Sequence, residues 1–116
     1  MTTPSNTHLS RGELGALGEQ LAVEHLRALG MQILARNWRC RYGELDVIAA
    51  DGDHTVVFVE VRKRALGQFG GALGSVGAVK QRRLVFAARF FLMRWRPLPP
   101  ARFDVIAWEP EGMIWV

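Results

Sequence analysis

The sequence predicts a single α/β domain in which helices pack on a mixed sheet of four or five strands. Short runs rich in β-branched residues alternate with two longer segments whose apolar residues recur at helical spacing. The second helical segment separates two strands, and a strand, a crossover helix and a further strand usually form a parallel pair. The predicted element order is therefore α-β-β-β-α-β-β.

A first helix is predicted over residues 11–29. Ser10 and Glu13 have the spacing of a capping box at its start. Gly30 occupies the position of a C-terminal capping glycine. The residues expected on its core face recur at helical spacing: Leu14, Leu17, Leu21, His25 and Leu29.

Three strands are predicted next, over residues 31–39, 43–49 and 56–62. The last two are rich in β-branched residues, and residues 51–54 between them form a turn-forming cluster of Asp, Gly and His. These two strands should therefore form a hairpin.

The second half of the chain begins with a glycine-rich connection over residues 65–74. A second helix is predicted over residues 76–95, after which prolines end it. Fourth and fifth strands are predicted over residues 103–108 and 113–116. The expected core stripe of the second helix is Val76, Leu84, Ala87, Phe91 and Trp95.

Composition limits the classes of function. The net charge is +4, and Arg supplies 13 of the 15 basic residues. Because the Arg guanidinium matches phosphate geometry bidentately, this favours a nucleic-acid partner, although a high-GC genome also enriches Arg. Cys40 is the only cysteine, which excludes an intrachain disulfide. Residues 1–10 are expected to be a flexible tail on a domain of residues 11–116, in a cytoplasmic protein with no membrane segment.

Two carboxylates on the predicted hairpin are candidates for chemistry. Residues two apart on a strand share a face, so Glu60 and Arg62 point the same way. If Asp46 pairs with Glu60, Asp51 faces Thr55 and three residues remain in the loop. Two acids and a cation would then converge where a divalent metal could be held against a phosphate.

Other interpretations of these residues remain open. Glu60 interrupts an apolar strand, and a buried carboxylate needs a partner or a metal. It could instead emerge into solvent at a strand end, or form an ion pair with Arg62. Lys80 falls on the core stripe of the second helix, where it either meets a partner at the site or extends to solvent. Asp104 is expected to be structural, paired with an Arg or at the end of the sheet.

Several short motifs together resemble the YraN family of small bacterial proteins. They are Gly43-Glu44-Leu45-Asp46, Phe58-Val59-Glu60-Val61-Arg62, Arg102-Phe103-Asp104-Val105-Ile106, Gly18-Glu19 with Ala22, and Phe69-Gly70 before Lys80. That family is assigned to the PD-(D/E)XK nuclease superfamily, nearest to archaeal Holliday junction resolvases. The resemblance implies a restriction-endonuclease-like core.

The resemblance also implies roles for individual residues. Asp46 and Glu60 correspond to the motif acids, and the Val61 carbonyl to a further metal ligand. Glu19 resembles the additional metal-site acid of the resolvases, with a solvated helix residue as the alternative. Arg62 stands where the superfamily usually has Lys. An Arg can stabilise charge but cannot act as a general base, which weakens the expectation of strong nuclease activity.

The function expected from the sequence is that of an endonuclease, dependent on Mg²⁺ or Mn²⁺, acting on branched or structured DNA. Asp46, Glu60, Arg62 and Lys80 are its expected catalytic residues. A homodimer is expected if the activity is junction cleavage. The alternatives are a nucleic-acid-binding module of the same fold with little or no catalysis, and a protein-interaction or assembly factor.

Overall fold

A computed structural model describes residues 11–63, 77–109 and 112–115. They form seven elements in the predicted order, which confirms the α/β class. The elements are α1 (Arg11–Ala28), β1 (Gln32–Cys40), β2 (Gly43–Ala50), β3 (Val56–Lys63), α2 (Ala78–Leu92), β4 (Ala101–Glu109) and β5 (Gly112–Trp115). The predictions for residues 1–10, for the Ser10 cap and for residues 65–74 lie outside the described residues.

The sheet is mixed, and its five strands lie in chain order from β1 to β5. β3 and β4 are parallel, with α2 between them in the chain, as predicted. The other neighbouring strands are antiparallel. This arrangement makes β3 the central strand, with β2 on one side and β4 on the other.

The two helices cover opposite faces of the sheet. Val57 and Val59 of β3 pack in one apolar cluster with α1. Val56 and Phe58 pack in a second cluster with α2. Because β3 is buried on both faces, its sequence is a nearly continuous apolar run rather than an alternation of apolar and polar residues.

The C-terminus of α1 is closed by the predicted glycine. Gly30 has a φ of +86°, a backbone conformation that glycine adopts without steric cost. Its N–H donates to the Arg27 carbonyl, and the Met31 N–H donates to the Leu26 carbonyl. These two bonds form a Schellman motif, and buried Met31 belongs to the same apolar cluster as Leu26.

The core face of α1 differs from the predicted leucine stripe. The fully buried residues are Ala22, Val23 and Leu26, whereas Leu29 is 56% exposed. Gly18 allows this orientation, because a Cβ added there would overlap the indole of Trp108 on β4. The helix therefore turns its small residues to the sheet, where they permit close approach.

The hairpin between β2 and β3 has the predicted three-residue loop. The Asp51 N–H donates to the Thr55 carbonyl over 2.9 Å, so these two residues face each other. His54 takes the positive φ, +69°, that closes such a loop. The register that follows pairs Val47 with Val59, and its continuation would set Asp46 opposite Glu60.

α2 packs through the predicted stripe. Leu84, Ala87 and Phe91 are buried, and Trp95 contacts Phe91 edge to face at 5.5 Å. Val76 lies outside the described residues. No helix of the described chain is both long enough and apolar enough to cross a membrane.

Candidate functional site

A cleft of about 670 Å³ opens between β2, β3 and the start of α2. The predicted residues Asp46, Glu60 and Lys80 all line it. The remaining lining residues are Gly43, Glu44, Gly77, Ala78, Val79, Arg83 and Leu84. The convergence predicted for the two acids is therefore present, while their roles remain predictions.

Asp46 lies where the ladder between β2 and β3 ends. The last paired residues are Val47 and Val59. Beyond them an Asp46 carboxylate oxygen, Oδ2, replaces a strand carbonyl and accepts the Val61 N–H over 2.9 Å. Burial raises the pKa of Asp46 to about 7, and repulsion from the Glu60 carboxylate contributes to the rise.

Glu60 is the only charged residue that is buried within the part of the chain that the structure describes, at 7% exposure. Lys80 Nζ lies 2.8 Å from Glu60 Oε1, in hydrogen-bonding distance. Arg62 Nε lies 3.5 Å from the same oxygen, in an ion pair. Two cations, one from β3 and one from α2, thus compensate one buried carboxylate.

Arg62 lies beside Glu60, as strand alternation predicted, and Lys80 adopts one of the two arrangements left open for it. Lys80 is half-buried on the core side of α2 and meets a partner, rather than extending away from the site. Arg62 Nε is buried and has no hydrogen-bond partner among the described residues. Its burial is therefore compensated by the 3.5 Å ion pair with Glu60 rather than by a hydrogen bond.

Glu19 is half-buried on α1 and does not behave as a solvated helix residue. Burial raises its pKa, and the carboxylates of Glu44 and, more weakly, Glu60 raise it further. The Arg36 charge and a hydrogen bond with Asn37 act in the opposite direction. Its Oε1 atom is buried without a hydrogen-bond partner among the described residues.

The sequence did not identify three further residues around the cleft. Glu44 and Arg83 line it, and Asn37 of β1 bonds Glu19. Asn37 has a φ of +49°, and Asn is one of the few residue types that often adopts this conformation. Asp104, by contrast, pairs with Arg102 at 3.2 Å, as expected of a structural residue.

The donor set suits a hard divalent cation. Among the described residues, no group of three or more His, Cys, Asp or Glu side chains is arranged to hold a metal ion. Carboxylate and carbonyl oxygens of Asp46, Glu60 and Val61 are nevertheless the ligand type that Mg²⁺ prefers. The unpartnered Oε1 of Glu19 and the mutual repulsion of these acids also favour a cation.

Comparisons with known proteins identify the family. The model of "Uncharacterised protein family UPF0102" matches residues 18–108, most of the chain. The chain belongs to the UPF0102 family. This confirms the resemblance to YraN proteins that the motifs around Asp46 and Glu60 indicated.

UPF0102 proteins from several bacteria align with nearly the whole chain. A protein of Pseudomonas entomophila is 54% identical over 101 residues, which are 84% of this chain and 80% of that protein. One from Verminephrobacter eiseniae is 49% identical over 90% of this chain and 75% of its own length. One from Cupriavidus taiwanensis is 47% identical over 92% of this chain and 82% of its own.

Two solved structures superpose more distantly on this UPF0102 chain. A repair endonuclease from Pyrococcus abyssi gives a TM-score of 0.46 at 19% identity over 90% of this chain, which spans 40% of that protein. SfsA of Pyrococcus furiosus, solved in complex with Ca²⁺, gives a TM-score of 0.38 at 16% identity. The chain covers 62% of SfsA.

Proposed function

We propose that this protein is a metal-dependent endonuclease that acts on branched or structured DNA. The observation that carries the proposal is the convergence of Asp46 and Glu60 in one cleft, with Lys80 and Arg62 at the Glu60 carboxylate. Acids that can bind a metal beside cations that can bind a phosphate form the combination that phosphodiester hydrolysis needs.

In this proposal Asp46, Glu60 and the Val61 carbonyl would hold Mg²⁺ or Mn²⁺, with Glu19 as an additional ligand. The chemistry supplied by the bound ion would be polarisation of the phosphate and a lower pKa for the attacking water. The proposal agrees with the burial of Glu19 Oε1 without a hydrogen-bond partner among the described residues.

The cations have separate tasks in the proposed reaction. Arg62, whose side chain is 28% exposed beside Glu60, would donate from its guanidinium to a phosphate oxygen as negative charge develops. Arg cannot give up its proton in a protein, so it would not act as a base. Lys80 would pair with Glu60 in the free protein and would turn to the phosphate when DNA and the ion are bound.

Cleavage of labelled four-way junction, fork and duplex DNA, with Mg²⁺ and with Mn²⁺, tests the proposal. We expect cleavage of the branched substrates, and we expect Asp46→Asn and Glu60→Gln each to abolish it while DNA binding persists. Asp51→Asn is the matched control, because this acid lies outside the cleft and pairs with Arg102. Cleavage that survives Asp46→Asn would contradict the assignment of Asp46 to the metal site.

Arg62→Lys sharpens this experiment. It restores the residue usual in the superfamily and introduces a group that can titrate. A higher cleavage rate would show that the missing Lys limits the site, and a lower rate would show adaptation to Arg. If neither the unchanged protein nor Arg62→Lys cleaves any of the three substrates with either ion, the proposed endonuclease activity is refuted.

A second candidate function is a nucleic-acid-binding module without catalysis. The specific observation in its favour is that Lys80 and Arg62 already compensate Glu60 within the chain. DNA binding that is identical in Mg²⁺ and in EDTA, together with no cleavage by any variant, would support this function instead.

A further inference from the structure

The outward face of α2 combines exposed aromatic rings with guanidinium groups. Phe86 is 49% exposed and Phe90 is 43% exposed, one helical turn apart. Arg82, Arg83 and Arg89 are exposed at neighbouring positions of the same face. We refer to these five residues, together with Tyr42, as the aromatic-arginine face.

Neighbouring side chains hold the rings of this face in place. Tyr42 stacks on Phe86, with ring centroids 5.6 Å apart and planes inclined by 30°. Arg41 lies over the Tyr42 ring, with its Cζ 4.9 Å from the ring centroid. The Phe90 ring contacts the rings of Tyr42 and Trp38, with centroids 6.1 Å apart in each pair. Rings that are already ordered lose little conformational entropy when a ligand binds them.

The distribution of charged residues indicates that a ligand of this face carries negative charge. Residues 61–103 contain ten of the 15 basic residues and none of the 11 acidic ones. α2 lies within this stretch, so no acid on the helix can pair with its arginines. A second copy bound through the same face would set these arginines against their own symmetry mates, which is repulsive. A polyanion is attracted instead.

The aromatic-arginine face continues into the cleft. Ala78 lines both the cleft and a groove of about 550 Å³ along Arg82, Phe86 and Arg89. Lys80 and Phe86 are six residues apart, about 9 Å along the helix axis. At the rise of about 3.4 Å per nucleotide that a strand has when its bases are stacked as in a duplex, two or three nucleotides span this axial distance.

We propose that the aromatic-arginine face binds an unpaired DNA strand, with Phe86 stacking on a base two or three nucleotides from the phosphate in the cleft. Stacked aromatic rings combined with arginines are the usual means of binding single strands without sequence preference. Paired bases are stacked on one another and cannot reach such a ring. The inference rests on the proposed function, since the cleft determines which bases reach Phe86.

Binding to a labelled oligothymidylate, measured by fluorescence anisotropy in EDTA, tests the inference without any cleavage. Phe86→Leu keeps an apolar side chain against Tyr42 but removes the ring. We expect it to weaken binding roughly 5- to 150-fold, the loss of one base stack. Phe86→Trp keeps a ring and should bind as tightly as the unchanged protein. Phe103→Leu is the matched control, because Phe103 is 45% exposed on β4, outside this face.

An abasic oligonucleotide of equal length separates stacking from charge. Phe86→Leu should leave the affinity for this backbone unchanged, and the unchanged protein should prefer oligothymidylate to a duplex. An equal loss on the abasic strand, or a loss no larger than that of Phe103→Leu, would overturn the inference.

Two other outcomes would also overturn it. In one, Phe86→Leu abolishes a dimer in sedimentation while strand binding is unchanged. In the other, it releases the protein from anionic phospholipid vesicles without affecting the strand. The proposed function fails separately, because ring-dependent binding can persist without cleavage, and cleavage that requires Asp46 can persist without ring-dependent binding.

Discussion

At the scale of single residues, the burial of Glu60 dominates the energetics of the cleft. A carboxylate in an apolar strand is costly unless partners compensate its lost hydration. Lys80 and Arg62 provide that compensation from different elements. The same contacts that would serve catalysis therefore also join α2 to the central strand.

We expect Lys80→Met to lower the free energy of unfolding at pH 7 by about 1–2 kcal/mol, because it leaves Glu60 without its 2.8 Å partner. The loss is kept modest by the partial exposure of the Lys80 side chain, at 41%. Urea unfolding of Lys80→Met, Glu60→Gln and the double variant measures the coupling between the two residues.

Arg39→Met is the control for the Lys80→Met variant. It breaks an ion pair with Glu44 of similar length, 3.1 Å, whose Arg side chain is 79% exposed. We expect a change below about 0.5 kcal/mol. Equal losses for the two variants would mean that burial does not strengthen the Lys80 contact.

The raised pKa of Asp46 predicts a stability that depends on pH. Between about pH 4 and about pH 7 the unfolded Asp46 ionises, whereas the folded one keeps its proton. Its contribution to the free energy of unfolding therefore falls as the pH rises through this range and is constant above it. Asp46→Asn should remove this decline and raise stability at pH 8 by about 2 kcal/mol or more.

The quantity to measure is the difference in urea unfolding between the unchanged protein and Asp46→Asn from pH 4 to pH 8. Asp53→Asn is a control whose effect on stability should depend on pH with the opposite sign. The reason is that the Thr55 backbone N–H lowers the pKa of the exposed Asp53 carboxyl. A flat difference curve for Asp46 would contradict its raised pKa.

Local sequence was sufficient to predict the strand-borne part of the site. Asp46, Glu60 and Arg62 follow from alternation along two strands and from the length of one loop. Glu44 lies two residues before Asp46 on β2, so the same alternation could have placed it. Arg83 could not be placed in this way, since its approach depends on how α2 crosses the sheet. The role of Asn37 depends on a left-handed backbone conformation within a strand, which no periodicity predicts.

At the scale of elements, α1 meets the sheet through Val23 and Leu26 together with the small residues Gly18 and Ala22. The sequence favoured the leucine stripe because Gly and Ala contribute little to a hydrophobic pattern. In the structure, close packing of Gly18 against Trp108 determines which face meets the sheet. The element order was predictable from the periodicity of apolar residues, and the β2–β3 register from one short loop. The helix orientation was not predictable, because it depends on packing.

Two glycine substitutions on α1 test this packing. Gly18→Ala should lower the free energy of unfolding by about 1–3 kcal/mol, since the methyl group overlaps the Trp108 ring. Gly15→Ala has open space around its added methyl group and should raise it by about 0.5–1 kcal/mol. Thermal unfolding of both variants measures the contrast, and stabilisation by Gly18→Ala would contradict the close contact between α1 and β4.

At the scale of the whole molecule, the charges are divided between two parts of the chain. All 11 acidic residues lie outside residues 61–103, where ten basic residues are concentrated. The cleft lies where the two parts meet, since Asp46 and Glu60 come from one and Lys80 from the other. In the proposed function, this arrangement would direct a polyanion toward the acids that would hold a metal ion.

DNA affinity should therefore fall steeply with salt. Each neutralised phosphate contributes about −0.9 to the slope of log K against log salt on duplex DNA, and about −0.7 on a single strand. Arg82→Gln and Arg89→Gln should each remove about one phosphate contact. Each should therefore make the slope less steep by about 0.7 to 0.9. Arg27→Gln on α1 is the matched control and should leave it unchanged. Binding that does not depend on salt would contradict this electrostatic attraction.

The three-residue loop between Asp51 and Thr55 also has a consequence for evolution. Side chains alternate along a strand, so one added or deleted loop residue would turn either Asp46 or Glu60 away from the cleft. Two added residues preserve the alternation. Insertions and deletions at this loop among UPF0102 proteins should therefore come in pairs, and a single one should occur only with a compensating bulge in a neighbouring strand.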